Sequence, residues 1–316
     1  MTTPDITEWD RRLADAASVV GDHLVPTPLV PITLDGFTAP AYLKLETLQP
    51  TGSFKVRGAL AAVAASAVDG RRVVTASAGN HGLGIAYAAT RMGVRATVVV
   101  PQTASPAKIE ALRRFDIDLR LIGDGYDAAE SAAQKIARED DARYVSAYTD
   151  PDVIAGQATV VREIADALPG AARIVVPIGG GGLVSGTVLG APARYRVLGV
   201  ETAASRAVSA SMAAGRIVQV PVTETIADGL AGNIAPDTLA PSILTAAGVD
   251  VIAADEPTIE RAVTDLALVH GIVCEGSGAV GIAAAMDAHI PTDLPTVFVI
   301  TGRNISRLRL AALLAP

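Results

Sequence analysis

The chain holds a single cysteine, Cys274, in 316 residues, so no disulfide can form within it, and a reducing cytoplasm is its expected setting. A small buried residue is the ordinary role of such a thiol. Basic residues number 26 against 33 acidic ones, giving a net charge of −7 with no basic cluster, and this argues against nucleic acid or an anionic membrane as a partner. No run approaches the ~18 apolar residues that a membrane helix needs. Met1 to Glu8 contain Asp5 and Glu8 and no basic-plus-apolar leader pattern. His23, His81, His270 and His289 are scattered, and no Cys/His pair has zinc-ligand spacing, so no metal site is expected. Low-complexity tracts and fixed-period repeats are also missing. What is present is a chain with 50% hydrophobic residues, long enough for a substantial core in one or two domains.

One grammar recurs along it: strand, polar or glycine-rich loop, helix. Val73–Ala76 reads as a short buried strand, Ser77-Ala78-Gly79-Asn80-His81-Gly82 as a polar turn, and Leu83 to Met92 as a helix. That loop places the Ser77 and Asn80 side chains and backbone N–H groups at a helix N-terminus, an arrangement suited to a carboxylate or phosphate. Arg173–Ile178 is a second strand, Gly179, Gly180, Gly181 and Gly182 follow, and a helix starts at Leu183. Four glycines let the backbone wrap an anion closely. Neither common nucleotide fingerprint fits. The dinucleotide pattern needs glycine where Ser185 stands, despite Glu201 at a suitable distance, and the triphosphate-loop spacing from Gly181 to Gly186 has Thr187 in place of its lysine. A third apolar strand, Thr296–Ile300, delivers Thr301 to the carboxyl edge of its sheet, where ligands of open α/β sheets bind.

Lys55 sits in Gln49-Pro50-Thr51-Gly52-Ser53-Phe54-Lys55-Val56-Arg57-Gly58-Ala59. Pro50 and Gly52 punctuate a turn, Ser53 is expected to cap the following helix, and the apolar run to Val63 continues it. A helix N-terminus disfavours an ammonium and depresses a lysine pKa, which makes Lys55 a candidate Schiff-base nucleophile. A lysine, an anion loop, a tetraglycine loop and a terminal hydroxyl are what a site for a phosphorylated aldehyde and an amino acid requires.

Over nearly its whole length the chain resembles the serine/threonine dehydratases of the pyridoxal-phosphate fold-type II, or tryptophan synthase β-like, family. The matching blocks occur in family order: Thr27-Pro28-Leu29, Lys44-Leu45-Glu46, Ser53 to Ala59, Ser77 to His81, Asp150 to Gln157, the tetraglycine loop, Thr225 to Gly229, Glu275 to Ala279, and Thr301 to Asn304. The resemblance implies pyridoxal 5'-phosphate as cofactor, bonded to Lys55, which once displaced by the substrate amine acts as the base near Cα. Gly179 to Gly182 and the helix from Leu183 would hold the phosphate. Ser77, Ala78, Gly79, Asn80 and His81 would bind the substrate carboxylate, with Asn80 also reaching the cofactor. Phe54 and Glu275 would line the cofactor. Thr301 would bond the pyridine nitrogen and, being neutral, leave it largely unprotonated. His81 is read as offering its backbone N–H rather than an acid-base imidazole. The implied reaction is β-elimination of water from a β-hydroxy amino acid such as threonine or serine, giving a 2-oxo acid and ammonia.

The chain departs from the family at several places. Related serine racemases carry a serine where Ala78 stands, so a second base is missing here and dehydration is favoured over racemisation. The family's cation site needs an Asp where this chain has Ala207, after Glu201 and Ser205. Leu83, Tyr148 and Arg303 replace common family residues near the implied substrate. The expected architecture is a two-domain α/β fold with open twisted sheets and helices on both faces: a large cofactor-binding domain, 1–68 and 150–316, and a small substrate-loop domain, 69–149. With the chain ending at Pro316, no room is expected for an allosteric regulatory domain. A homodimer acting on a small amino acid is expected. Alternatives are elimination or replacement on another β-substituted amino acid, a non-catalytic cofactor-binding homologue and, more distantly, a dinucleotide oxidoreductase.

Overall fold

The computed structural model describes residues 6–287 and 289–315, so Met1 to Asp5 of the N-terminal leader reading lie outside the described residues. The chain divides into two compact units, Met1–Val25 with Lys55–Thr159, and Pro26–Phe54 with Val160–Pro316.

The first unit is built on a four-stranded parallel sheet, in the order Asp118–Leu121, Ala96–Val100, Val73–Ala76, Arg143–Tyr144. Its two central strands are wholly buried, as the unbroken Val/Ala/Thr runs require when helices cover both faces. Val56, Leu60 and Val63 of the helix Lys55–Val68, hereafter the lysine helix, share one core with Val20, Leu24, Ile85, Val98 and Val153.

This division differs from the boundaries expected from sequence. The N-terminal helix Ile6–His23, the lysine helix and the helix Pro151–Gln157 all belong with the smaller sheet. The cause is packing. The lysine helix is buried along most of its length and meets the helices Asn80–Met92 and Pro151–Gln157 at glycine contacts, which bring backbones together too closely for the helix to belong elsewhere. Gly58 and Gly156 face each other, so that a Cβ on Gly156 would lie 2.5 Å from the Gly58 Cα.

The second unit carries a six-stranded sheet in the order Leu29–Ile32, Ala41–Leu45, Thr296–Ile300, Arg173–Pro177, Arg196–Thr202, Asp250–Ala254. Every pairing is parallel except the first, where Leu29–Ile32 runs antiparallel to Ala41–Leu45. Thr296–Ile300, near the middle, is buried at every position. On one face lies a core of Leu43, Val175, Phe298, Ile300 and the alanine-rich helix Gly276–Met286; on the other lies a core of Ile174, Val176, Val184, Val297 and Val299.

Beneath the turn that precedes Phe54, the second unit holds a buried polar network. Lys44 Nζ donates to the Thr27 carbonyl at 2.7 Å and pairs with Glu163 at 2.5 Å; Thr27 Oγ1 donates to Glu46 at 2.6 Å, and Gln49 Nε2 to the other Glu46 oxygen at 3.2 Å. Each charge taken from water here has a partner of opposite sign or a strong donor, the condition under which a buried ion is tolerated.

Candidate active site

In the first unit, Lys55 opens its helix, and its Nζ donates to the Ala147 carbonyl at 3.0 Å. The expected Ser53 cap is not formed. Ser53 instead makes an antiparallel bridge with Gly302, and its buried Oγ has no hydrogen-bond partner. The reason is register: with helical geometry beginning at Lys55, Ser53 lies one residue too early to reach the first free amides.

The loop after Val73–Ala76 folds back tightly. Ser77 N–H donates to the Val99 carbonyl at 3.1 Å, Gly79 N–H to Ser77 Oγ at 3.2 Å, and the next helix runs Asn80–Met92 with no side-chain cap at Gly79. No side chain closes the positive end of this 13-residue helix, an end that suits an anion. Any side chain on Gly82 would collide with the Ser77 carbonyl, its Cβ falling 2.0 Å away. Gly84 lets this helix approach the lysine helix, since a Cβ there would sit 3.1 Å from the Lys55 carbonyl oxygen. His81 is 3% exposed, and its Nε2 lies 3.2 Å from the Val145 carbonyl. Burial, and secondly the charge of Lys55, lower its pKa to about 3. The ring is neutral at working pH and carries its proton on Nε2, the nitrogen facing an acceptor. Ala78 and Leu83 are half-buried against the apolar core.

In the second unit, the glycine loop follows the buried strand Arg173–Pro177. Gly181 has φ +89°, a left-handed conformation that side chains resist, and a Cβ there would lie 2.2 Å from Ala240 Cβ. A Cβ on Gly179 would lie 2.9 Å from the Gly229 carbonyl oxygen. The helix Gly182–Gly190 starts with no side-chain cap, and Ser185 Oγ in its first turn is buried without a hydrogen-bond partner. A loop that excludes side chains, ending in uncapped amides, fits a phosphate dianion.

Two residues that sequence reading left without roles, Ser277 and Gly229, back this loop. Ser277 Oγ accepts from Gly229 N–H at 3.0 Å, and Gly229 in turn backs Gly179. Glu275 N–H donates to the Gly302 carbonyl at 2.9 Å, and a Cβ on Gly302 would lie 2.7 Å from Glu275 Oε1. Thr301, 3% exposed, directly follows the strand Thr296–Ile300, and its carbonyl accepts from Phe54 N–H at 3.0 Å. Thr301, Gly302, Glu275 and the Ser53-Phe54 turn are thus brought together. The resemblance had given Thr301, Phe54 and Glu275 places at the cofactor; Gly302 had no signal beyond lying in a block that matches the family.

Arg303, read as a possible lining residue, is exposed; its backbone N–H donates to the Gly52 carbonyl at 2.9 Å. Glu201 is 2% exposed and accepts from the N–H groups of Val208, at 2.8 Å, and Ser209, so it closes the start of the helix Ala207–Ala214; burial pushes its pKa up. Among the described residues no cluster of three or more His, Cys, Asp or Glu has metal-holding geometry, and no helix is long and apolar enough to cross a membrane.

Residues 20–302 match the family model described as pyridoxal-phosphate dependent enzyme. The chain is 40% identical over 273 residues to an L-threonine ammonia-lyase of Geobacter sulfurreducens, covering 84% of this chain and 67% of that one. Its fold is similar to that of maize serine racemase, with TM-score 0.87, 28% identity and coverage of 96% and 95%. It is also similar to the processed form of threonine deaminase isoform 2 from Solanum lycopersicum, with TM-score 0.86, 30% identity and coverage of 99% and 94%. The chain belongs to the pyridoxal-phosphate dependent enzyme family.

Proposed function

We propose that this member of the pyridoxal-phosphate dependent enzymes is an ammonia-lyase that eliminates water from L-threonine or a related β-hydroxy amino acid, yielding a 2-oxo acid and ammonia. The observation that carries the reading is Lys55 at a helix start in a chain where the helix Asn80–Met92 follows a polar loop and the helix Gly182–Gly190 follows a loop of four glycines, neither with a side-chain cap. The amine suits an aldehyde, one anion end suits a phosphate, and the other suits an amino-acid carboxylate. The names of the relatives agree with this chemistry.

Bound pyridoxal phosphate supplies the electron sink for negative charge at the substrate Cα. The protein supplies placement and proton transfer. Lys55 Nζ holds the cofactor aldehyde and, when released, takes the Cα proton. The amides opening the helix Asn80–Met92, with Ser77 and Asn80, bind the substrate carboxylate. The amides of Gly179 to Leu183 would bind the cofactor phosphate, the Thr301 hydroxyl would bond the pyridine nitrogen, and Phe54 and Glu275 would line the ring. Ala78 has no proton to return to the opposite face of Cα, so loss of the β-hydroxyl as water outpaces inversion. On this reading Glu201 serves a helix rather than a cation, and the buried neutral His81 transfers no proton in the reaction.

We also propose a cytoplasmic homodimer. Leu268 and Val269, 67% and 69% exposed at the end of one helix, are apolar surface of the kind dimers cover.

The deciding assay incubates holoenzyme with L-threonine, L-serine and other β-hydroxy amino acids and measures 2-oxo acid and ammonia, with chiral analysis of residual serine. Stoichiometric 2-oxo acid and ammonia with little D-serine is the expected result. D-serine forming faster than pyruvate would overturn the reading.

A further inference from the structure

In the first unit, one backbone carbonyl receives two side-chain hydrogen bonds. Val145 O accepts from Thr75 Oγ1 at 2.8 Å and from His81 Nε2 at 3.2 Å, while Val145 N–H donates to the Val74 carbonyl at 2.8 Å. Val145 is fully buried. Two residues on, the Ala147 carbonyl is the acceptor of Lys55 Nζ at 3.0 Å, and between them Ser146 Oγ accepts from Thr149 N–H at 3.3 Å. The segment is therefore pinned at its start by His81 and Thr75, braced by Ser146, and offers its carbonyl to the lysine at Ala147. His81 Nδ1 is buried with no hydrogen-bond partner. The imidazole thus spends its single proton on the Val145 carbonyl.

We propose that His81 is a positioning residue for Lys55: its Nε2–H fixes the Val145–Ala147 backbone so that the Ala147 carbonyl receives the Lys55 amine whenever that amine is not bonded to the cofactor. A lysine set free during turnover is a four-carbon chain with many rotamers, and an acceptor in a fixed place keeps the amine where it must next take a proton. The inference rests on Lys55 being the cofactor-bearing residue. A rest for the released amine stabilises the released state alone, so weakening it lowers turnover without weakening cofactor binding, whereas general loosening of the fold weakens both.

The test compares wild-type holoenzyme with His81→Leu and His81→Gln. Loss of the donor in His81→Leu is expected to lower kcat about tenfold, or about 1.4 kcal/mol in the barrier, with KM and the cofactor dissociation constant within about threefold of wild type. His81→Gln, which offers an amide N–H in reach of the same carbonyl, is expected to recover kcat to within about threefold. Cofactor affinity is read by equilibrium dialysis and visible absorbance. Where His81→Leu does not fold, Thr75→Val removes the other donor to the same carbonyl, and a fall in kcat without weaker cofactor binding is again expected. Unchanged kcat in the leucine variant, or a fall in kcat matched by weaker cofactor binding and not rescued by glutamine, overturns the proposal. Borohydride reduction and peptide mapping keep the two readings apart. Wild type labelled at another lysine removes the Lys55 assignment itself; equal labelling of Lys55 in wild type and His81→Leu, with equal kcat, removes only the role of His81.

Discussion

Replacing Gly58 by alanine sets two terms of opposite sign against each other. In a helix interior, alanine is favoured over glycine by about 0.8–1.0 kcal/mol. Against this, a Cβ at Gly58 would lie 2.3 Å from Gln157 Nε2, 2.7 Å from the Val153 carbonyl oxygen and 2.8 Å from Val153 Cγ1. Gln157 is wholly buried with both amide atoms lacking hydrogen-bond partners, so it has little room to swing, and the Val153 oxygen moves only if the helix Pro151–Gln157 moves. Forcing extra volume into such an interface costs roughly 1–3 kcal/mol. The second term is at least as large, and Gly58→Ala is expected to lower stability by up to about 2 kcal/mol, or a few degrees in Tm for a protein of this size. Gly21→Ala is the reference. It lies in the helix Ile6–His23 with nothing within 4 Å of its Cβ, so only the chain-entropy term remains and a gain of about 0.4–1 kcal/mol is expected. Thermal and urea unfolding of the two variants side by side, with kcat measured on each, decides the matter. Gly58 is three residues from Lys55, so its displacement should lower kcat as well. If Gly58→Ala raises Tm as Gly21→Ala does, the close helix contact does not carry the weight assigned to it.

Gly181→Ala combines a left-handed φ of +89° with a 2.2 Å approach to Ala240 Cβ; strain of about 1–2 kcal/mol plus crowding should weaken cofactor binding at least tenfold in equilibrium dialysis, and unchanged affinity would refute the phosphate-loop reading. Arg303→Gly should leave kcat/KM on threonine, serine and 3-hydroxyaspartate within about twofold, because the exposed guanidinium sits where surface substitutions have small effects; a selective loss on 3-hydroxyaspartate would place it in the site after all. Cys274, fully buried and with its pKa pushed up to about 12 by burial and then by Glu275, should resist thiol reagents until the protein unfolds. Stoichiometric labelling of folded enzyme would contradict that burial.

Much of the scaffold could be read from residues alone because its strands are short apolar runs closed by glycine or polar loops. Val73–Ala76 and Thr296–Ile300 fall where expected, and the helix Asn80–Met92 begins three residues early because its uncapped first turn looks like loop in the sequence. The glycine loop announced itself through composition. The supports did not. Ala147 acts through a carbonyl that every residue has, and Gly58 and Gly156 matter only as a pair 98 positions apart. Ser53 was misread because a cap is defined by where the helix starts, and a shift of one residue removes it. The unit boundary was missed for a related reason: the lysine helix follows a turn of one unit in sequence and packs into the core of the other.

The helix Gly182–Gly190 begins on four glycines with no side chain closing its first turn. Glycines are the residues whose freedom is most reduced by folding, and uncapped amides return little in exchange. An anion seated there repays both, so a cofactor present at a hundred times its dissociation constant adds about 2.7 kcal/mol to the stability of the folded chain. In a cell the amount of this protein then becomes tied to vitamin supply. When the cofactor is scarce, the chain is not merely idle but is opened more often to proteases, so lost activity is followed by lost protein.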